Sequence, residues 1–400
     1  MASIYGPVTD WATDFDHAEP EYNAHAHEVW AELRGRCPVA HTDRYNGAWL
    51  PVTHDLVTQI AYDTEHFTSR AVIVSSGQIE AEAPIGGAPP ITSDPPFHHD
   101  ARRLLLPAFA PKVIEPWEKD VRELCRGRLR DMGEAEYIDA AVQYAQHIPV
   151  SVIAMMLGFP LEDADIFRGF VHDILEGVNV GVEQRMAAFD RLDAYISTQI
   201  DEHIADPRDD LTSYLLNAKI FDQPLSRDHV AGSIVLLLLA GIDTTWSAIG
   251  SSLLHLATHP DDRRRLVAEP SLMPTAVEEF LRAYAPVTMA RMVKEDVEIA
   301  GCPMKVDEWV LLPFPAANVD PAAFDRADEV LIDRVENRHL AFGLGIHRCL
   351  GSNLARLEVR VAVEEFLARF PEFEVADPDA VTWSLGQVRG PRSLPFRIIR

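Results

Sequence analysis

Cysteine is scarce in this chain of 400 residues: only Cys37, Cys125, Cys302 and Cys349 occur, far apart and without a CxxC pair. A disulfide framework, a zinc site or an iron–sulfur cluster would need paired or clustered cysteines, so the sequence predicts none of the three. Isolated thiols are typical of a reducing compartment. We therefore expect a cytoplasmic protein.

Basic residues are also few, because 36 Lys and Arg stand against 62 Asp and Glu and leave a formal net charge of −26. A chain this acidic is repelled by the phosphates of nucleic acids and by anionic lipid surfaces. Long hydrophobic runs are missing as well. The most apolar stretch, residues 234–242, is far shorter than the roughly 20 residues that a transmembrane helix needs. We expect neither a nucleic-acid partner nor a membrane.

The chain lacks a Gly/Ser-rich linker and an internal repeat, and we expect a single domain over residues 1–400. Apolar residues at three- and four-residue spacing predict a mainly α fold, and short alternating stretches add small β-sheets. The predicted helices cover residues 24–33, 121–132, 140–157, 189–205, 226–258 and 353–369. The predicted strands cover residues 48–52, 293–299, 309–313 and 393–399.

Cys349 lies in a glycine-rich loop, residues 341–351, directly before the last predicted helix. The backbone N–H groups and the dipole at a helix N-terminus stabilise a thiolate, and glycines let the backbone approach a flat ligand. A single thiolate held in this way suits an axial ligand of iron. Taken alone, however, a lone cysteine in such a turn is more often a small buried hydrophobe.

The residues around Cys349 favour the first interpretation. Phe342, Gly343, Gly345, His347, Cys349 and Gly351 match the pattern F-G-x-G-x-[HR]-x-C-x-G. Here the chain resembles the cytochrome P450 family, of the soluble bacterial type, whose triangular, helix-rich domain has a long distal helix and a C-terminal cysteine loop. The resemblance implies that this loop binds haem b and that Cys349 is the thiolate ligand of its iron.

A second motif, Ala240-Gly-Ile-Asp-Thr-Thr, lies inside the predicted helix 226–258. Glycine and threonine are weak helix formers, and a threonine hydroxyl can bond the carbonyl four residues earlier, so we expect a local opening of the helix. The segment is similar to the family signature A-G-x-[DE]-T-[TS]. The resemblance implies that Ala240 and Gly241 lie against the haem, where Asp243 and Thr244 relay protons. The other interpretation is a kink with a solvated aspartate.

Glu279 and Arg282 place opposite charges three residues apart. Most such pairs are solvated surface pairs that contribute little. Between the other two motifs, however, this pair matches the family pattern E-x-x-R. The resemblance implies that it forms a buried ion network with Arg334, which supports the cysteine loop and takes no part in catalysis.

Haem carries two propionates, and buried carboxylates are costly unless cationic or donor side chains meet them. The resemblance implies four residues for this role: His98, Arg102, Arg291 and His339. His98 is followed by a second histidine, so either His98 or His99 could be the one that contacts the haem.

The side chains that the family places around its pocket limit the chemical class of the substrate. On this chain they are Leu237, Ala240, Val287 and Met289, together with the long Pro-, Gly- and Ala-rich loop of residues 71–97. No Lys or Arg lies between Arg70 and Arg102 to anchor a carboxylate. The sequence therefore favours a small neutral hydrophobic substrate, bound mainly by burial, although Arg168 or Arg185 could still reach the pocket.

The electrons must come from outside this chain, because it contains no GxGxxG dinucleotide fingerprint and no cysteine set for an iron–sulfur cluster. The resemblance implies a ferredoxin with its reductase, or a fused reductase domain, that passes on electrons from NAD(P)H. An acidic partner could dock on a basic subset of the chain. Its members are Arg102, Arg103, Arg122, Arg126, Arg128, Arg130 and Arg348. A monomer is the default expectation.

Together these motifs predict a monooxygenase that uses O₂ and two supplied electrons to hydroxylate, dealkylate or epoxidise its substrate. Two other functions are weighed against it. A haem-thiolate binding or gas-sensing protein would not need the pair Asp243 and Thr244, and a peroxide-driven peroxygenase would place an acid beside the haem instead of a threonine. The intact Ala240 to Thr245 signature favours the monooxygenase.

Overall fold

The structure is a computed structural model that describes residues 5–74, 87–176 and 182–400. Part of the loop predicted to line a pocket, residues 75–86, lies outside the described residues. Helices dominate the described chain, as the sequence predicts. The α-helices are α1 Trp11–Asp14, α2 Pro20–Arg36, α3 His54–Tyr62, α4 Phe97–Leu105, α5 Pro111–Ile114, α6 Glu118–Asp131, α7 His147–Leu157, α8 Ala164–Val171, α9 Val182–Ala205, α10 Leu211–Asn217, α11 Arg227–Thr258, α12 Pro260–Ala268, α13 Met273–Ala283, α14 Phe314–Asn318 and α15 Ser352–Arg369.

The long helix α11 is the axis of the fold. It begins after Ser226, whose side chain accepts a hydrogen bond from the backbone N–H of His229 as an N-cap. It is long and apolar enough to span a membrane, with a mean hydropathy of 1.6 over its best 18 residues, so the apolar segment is longer than residues 234–242 suggest. Because 78% of that window is buried inside the protein, α11 has the character of a core helix.

The strands are short and form several small sheets. They are β1 Val39–Thr42, β2 Ala48–Pro51, β3 Phe67–Thr68, β4 Tyr137–Asp139, β5 Lys219–Ile220, β6 Gln223–Pro224, β7 Thr288–Val293, β8 Val297–Ile299, β9 Cys302–Met304, β10 Trp309–Pro313, β11 Phe373–Val375, β12 Thr382–Trp383, β13 Pro391–Ser393 and β14 Pro395–Ile398. The largest sheet has the order β1-β2-β10-β7-β3, with β2 and β10 parallel and the other pairs antiparallel. A three-stranded sheet has the order β11-β14-β4.

The strand predicted over residues 293–299 is wrong, because the chain is not one continuous strand there. Strand β7 ends at Val293, and β8 begins only at Val297, where it forms a hairpin with β9. The charged residues between them explain the break, because Asp296 bonds Lys305 across the turn and accepts from the backbone N–H of Val306. The strand that lies at the site is therefore β7, which ends at Val293, where the predicted strand begins.

The main core surrounds α11, which packs against α7, α9 and α15. Ile234, Ile242, Ile249 and Leu253 are completely buried along its length. A smaller core around Trp30 joins α2 to the five-stranded sheet. This packing sets the middle of α11 opposite the loop that precedes α15, which is where the two sequence motifs lie.

Candidate active site

The two motifs line one cavity. From α11 come Ala240, Gly241 and Thr244. The members of the cysteine loop in its wall are Phe342, Gly343, His347, Cys349 and Gly351. These residues are about 100 positions apart in the chain, and the packing of α11 against α15 brings them together.

The cysteine loop has a conformation that requires its glycines. Gly343 and Gly345 both have a φ of 64°, a region that other residues rarely adopt. A Cβ atom on Gly345 would come within 2.7 Å of the Ala61 carbonyl oxygen. The backbone N–H of Cys349 donates to the Phe342 carbonyl at 2.8 Å and closes the loop. The backbone of the loop is thus held by its own hydrogen bond and by two glycines that other residues cannot easily replace.

The Cys349 thiol lies deep in the molecule, yet it is accessible because it opens onto the cavity. It stands just before α15, as predicted. Burial raises the pKa of this thiol and outweighs the Gly351 backbone N–H and the nearby Arg102, which lower it. The helix end alone therefore does not produce the expected thiolate. A metal cation bound to the sulfur would supply the missing stabilisation.

A cluster of donors lies at one end of the cavity. Arg102, Arg291 and His347 line it, and the His98 ring packs edge-on against His347 with 4.4 Å between ring centres. Both ring nitrogens of His98 and Nε2 of His347 have no hydrogen-bond partner in the described chain. Of the two adjacent histidines, His98 is buried in this cluster, whereas His99 is exposed.

Burial controls the charge of this cluster. It lowers the pKa of His98 to about 4 and the pKa of His347 to about 2, so both rings are neutral at pH 7. Burial also lowers the pKa of Arg291 to about 10, which leaves its guanidinium charged. The buried Arg291 guanidinium, the partly buried Arg102 guanidinium and the imidazole nitrogens that lack partners form a site for anionic groups.

His339 does not join this cluster, so its expected role as a propionate ligand is corrected. Its Nε2 lies 3.2 Å from Glu278 Oε2, and its Nδ1 accepts from the backbone N–H of Ala341 at 3.2 Å. Arg356 bonds the same Glu278 carboxylate at 2.5 and 2.9 Å. Burial alone would raise the pKa of Glu278, but these partners lower it to about 2. With both ring nitrogens engaged, His339 belongs to a salt-bridge network outside the cavity wall.

Thr244 and Asp243 have different environments although they are neighbours. The Thr244 hydroxyl lines the cavity and donates to the Ala240 carbonyl at 2.8 Å. That bond is the expected one, but the expected opening is not seen, because α11 is helical from end to end. Asp243 is fully buried and forms an ion pair with Arg392 on β13, outside the residues that line the cavity.

Arg392 is a residue that the sequence reasoning missed. Besides Asp243, it donates to the Ser247 hydroxyl at 3.1 Å, and its guanidinium stacks on Trp246 at 4.1 Å from the ring centre. Arg392 lies 149 residues from Asp243 in the chain. No spacing rule connects two residues so far apart, so the pair was not predictable from the sequence.

Glu279, Arg282 and Arg334 meet in one buried network. Arg282 bonds both Glu279 oxygens at 2.8 Å, and Arg334 bonds Oε2 at 2.9 Å. Arg282 also donates to the Asn318, Ala327 and Glu329 carbonyls. None of the three side chains lines the cavity, which suits a supporting role.

The apolar part of the cavity contains all four expected substrate contacts, Leu237, Ala240, Val287 and Met289. Neither Arg168 nor Arg185 lines it. Arg168 instead forms an ion pair with Asp165. The wall also contains an acid that the sequence reasoning missed, Glu358 of α15, at a buried position between the apolar Leu357 and Val359. In the sequence, an acid between apolar residues of a predicted helix could have indicated this position.

The basic residues near the cysteine loop are mostly paired within the chain. Arg122 bonds Glu118, Glu364 and Glu365, and Arg126 bonds Glu365 at 2.7 Å. Arg102 donates to the Arg348 carbonyl. Arg103 is 76% exposed, with Asp100 at 3.3 Å, and Arg348 is also exposed. The surface available to an acidic partner is therefore smaller than the sequence suggests.

Known proteins are similar to this chain in sequence and in fold. The sequence profile of the family described as Cytochrome P450 matches residues 170–388. Mycinamicin IV hydroxylase/epoxidase of Micromonospora griseorubida is 33% identical over 375 residues, which cover 92% of this chain and 94% of that protein. Vitamin D(3) 25-hydroxylase of Pseudonocardia autotrophica is 34% identical over 355 residues, which cover 88% of this chain and 87% of that protein.

Solved structures of similar proteins have the same fold as this chain. CYP109E1 from Bacillus megaterium, in complex with testosterone, has a TM-score of 0.87 at 30% identity, covering 95% of this chain and 100% of that chain. The myxobacterial cytochrome P450 CYP267B1, in complex with myristic acid, has a TM-score of 0.88 at 30% identity, covering 96% of this chain and 98% of that chain. The mainly α architecture with small sheets is the fold of these enzymes. The chain therefore belongs to the cytochrome P450 family of haem-dependent monooxygenases.

Proposed function

We propose that this protein is a single-domain, cytoplasmic monooxygenase that hydroxylates, dealkylates or epoxidises a neutral hydrophobic compound with O₂ and two external electrons. The observation that carries this proposal is the shared cavity, in which the Cys349 thiol and the Thr244 hydroxyl line the same apolar space. The thiol suits a haem ligand, the hydroxyl suits proton delivery, and the apolar wall suits the substrate.

The residues of the cavity fit haem b. Cys349 would ligate the iron, while Arg102, Arg291 and His347, backed by His98, would hold the propionates. The unpartnered imidazole nitrogens and the buried Arg291 guanidinium support this assignment, because such groups cost stability unless an anion meets them. When bound, the haem supplies the activation of dioxygen.

Thr244 and Asp243 would manage protons on the α11 side of the cavity. Since the Thr244 hydrogen is donated to the Ala240 carbonyl, its oxygen is left to accept a hydrogen bond from water and so to position that water in the cavity. Asp243, next in the chain, would take up a proton from solvent and release it toward that water. Its ion pair with Arg392 would restore the carboxylate after each transfer.

The substrate proposal rests on the cavity wall. Its cationic members, Arg102 and Arg291, belong to the donor cluster. Its acid, Glu358, keeps its proton, because burial raises the pKa of this carboxyl well above its ordinary value. The apolar side chains Leu237, Val287 and Met289 would then bind the substrate by burial. Relatives and structural neighbours act on vitamin D(3) or bind testosterone, which makes steroid-like compounds the first set to screen.

The electrons would come from a ferredoxin with its reductase or from a fused reductase domain, with NAD(P)H as their source. Helix α4 touches the cysteine loop through Arg102, so its exposed neighbour Arg103 is well placed for an acidic partner. We expect R103E to slow reduction by ferredoxin and to weaken its salt dependence. R264E is the matched control, since Arg264 is also exposed and also pairs with an aspartate three residues earlier. Equal reduction rates in both variants would exclude Arg103.

The replacement T244A tests the reaction itself. Because the positioned hydroxyl is lost, we expect more peroxide released and less product formed per electron. T258A is the control, since Thr258 makes the same bond to the carbonyl four residues earlier at an exposed end of α11. The CO complexes of all reduced proteins should show the strongly red-shifted Soret band of thiolate-ligated haem.

The outcomes separate the three functions. Thiolate-ligated haem without turnover would favour the sensor, and full activity with peroxide alone, unaffected by T244A, would favour the peroxygenase. Absence of haem in the purified protein would refute the proposal.

A further inference from the structure

Arg185 is a buried cation that the proposed function does not use. It is the fourth residue of α9 and is only 8% exposed. Its Nε is buried without a hydrogen-bond partner. Burial lowers the pKa of this guanidinium, and no charge among the described residues counteracts the effect. Arginine is almost never buried unless it is paired, so this one requires an explanation.

The acids on and around α9 do not compensate this charge. The π-helix His172–Glu176 packs on α9, but its Asp173 bonds Arg191 at 2.7 Å. Glu183, in the same helical turn as Arg185, is exposed to solvent. Within the part of the chain that the structure describes, the guanidinium of Arg185 therefore has no anionic partner.

The position of Arg185 in its helix adds a second cost. Helix α9 begins at Val182, and the N–H groups of a first turn give a helix N-terminus a partial positive charge, which disfavours a cation nearby. An anion beside Arg185 would be stabilised by the guanidinium and by the helix end together. The same position is thus unfavourable for a lone cation and favourable for an ion pair.

Arg185 belongs to the inner face of α9. Ala188, Leu192 and Ile196 follow it by three, seven and eleven residues, which places all four on one side of the helix, and these three apolar side chains are completely buried. Arg185 itself does not line the haem cavity. Its terminal nitrogens, unlike Nε, are not among the completely buried atoms, so a ligand can reach them.

Charge and shape together select the ligand. The guanidinium carries one positive charge and a planar fork of N–H donors that matches a carboxylate. A dianion such as phosphate would bring a second buried charge without a cation to meet it. The next side chains on the same helix face, Ala188 and Leu192, are apolar and favour an acid with a hydrocarbon body.

We propose that Arg185 anchors a binding site for an amphipathic organic acid, whose carboxylate pairs with the guanidinium in the first turn of α9. The carboxylate belongs either to a second ligand or to an acidic substrate whose body extends into the haem cavity. The inference rests on the proposed function only for this distinction, because binding of the carboxylate does not depend on turnover.

Calorimetric titration of the haem-bound enzyme with sodium decanoate tests the inference, and decanamide is the uncharged control ligand. We expect R185M to bind decanoate about tenfold more weakly or worse, because a charge-assisted pair is lost, and to bind decanamide as the wild type does. R191M is the matched control on the same helix, since Arg191 is exposed and already pairs with Asp173. R185K keeps the charge without the fork, so its affinity should lie in between, and it replaces R185M if that variant does not retain haem.

Thermal unfolding without added acid separates a ligand site from a structural role. Methionine is also long but uncharged, so R185M removes a buried cation that nothing compensates, and we expect its unfolding midpoint to lie above that of the wild type. An arginine that holds the fold together would lower the midpoint when replaced. Decanoate should raise the midpoint of the wild type and of R191M, but not that of R185M.

The outcomes are decisive in both directions. No binding of decanoate by the wild type, equal affinity in the wild type, R185M and R185K, or a lower midpoint of R185M without acid would overturn the inference. A Soret shift on decanoate binding would identify an acidic substrate, and binding without a shift would identify a second ligand. If decanoate binding depends on Arg185 but the enzyme oxidises no compound, the proposed function fails while the site stands.

Discussion

Glu279 and Glu358 are two buried glutamates with opposite surroundings. Glu279 accepts hydrogen bonds from Arg282, Arg334 and the backbone N–H of Leu331, the last at 2.7 Å. Glu358 has an oxygen without a partner and lines the cavity. The first is a charge whose desolvation is compensated by close cations, and the second is an acid that keeps its proton. The difference separates residues that hold the fold from residues that face a ligand.

The arginines of the same region show the same division. Arg282 donates to Glu279 and to three backbone carbonyls. Arg291 is also buried, yet its one hydrogen bond within the described chain goes to the carbonyl of the preceding residue, Ala290. Arg291 also lines the cavity. A buried cation with few internal partners is expected where an anionic ligand binds.

The largest effect that this comparison predicts is that of E279Q. The replacement leaves two buried guanidinium groups facing a neutral side chain. Breaking a buried ion pair in this way costs about 3–5 kcal/mol of unfolding free energy. E358Q should change the same quantity by about 1 kcal/mol or less, since it replaces a neutral group by a neutral group of similar size.

Urea unfolding, followed by far-UV circular dichroism, measures both variants. The contrast between the two glutamates is contradicted if E279Q unfolds at the same urea concentration as the wild type, or if E358Q loses as much stability as E279Q. An unchanged slope against urea would show that the transitions are comparable.

The sequence predicted the parts of this site that lie within short segments. The cysteine loop, the Asp243 and Thr244 pair and the Glu279 to Arg282 spacing each occupy a dozen residues or fewer. Their helices and loops follow from local periodicity and glycine content, so the resemblance to a family could be tested against the structure position by position.

The sequence reasoning failed where the partner is distant in the chain. Arg392 reaches Asp243 through the packing of β13 on α11, and no local pattern carries that contact. His339 lies close to the cysteine loop, but Glu278 and Arg356 draw it away from the cavity. The sequence shows Glu358 as an acid on a buried helix face. Only the structure shows that this acid lines the cavity.

A smaller effect, which sharpens the comparison, is expected for R291L. In the proposed function, loss of this guanidinium would remove charge-assisted hydrogen bonds to a haem propionate, worth about 1.5–3 kcal/mol, so haem should dissociate about tenfold faster or more. The fold should be little affected, because Arg291 makes only the bond to Ala290 within the described chain. R282L should instead destabilise the fold, since Arg282 joins Glu279 to the chain around it.

One urea titration distinguishes the two variants. In R291L the Soret band should disappear before the circular dichroism signal, whereas in R282L both signals should shift together to lower urea. If the two signals also coincided in R291L, Arg291 would be a structural cation like Arg282, and an unpartnered buried group would no longer indicate a ligand in this protein.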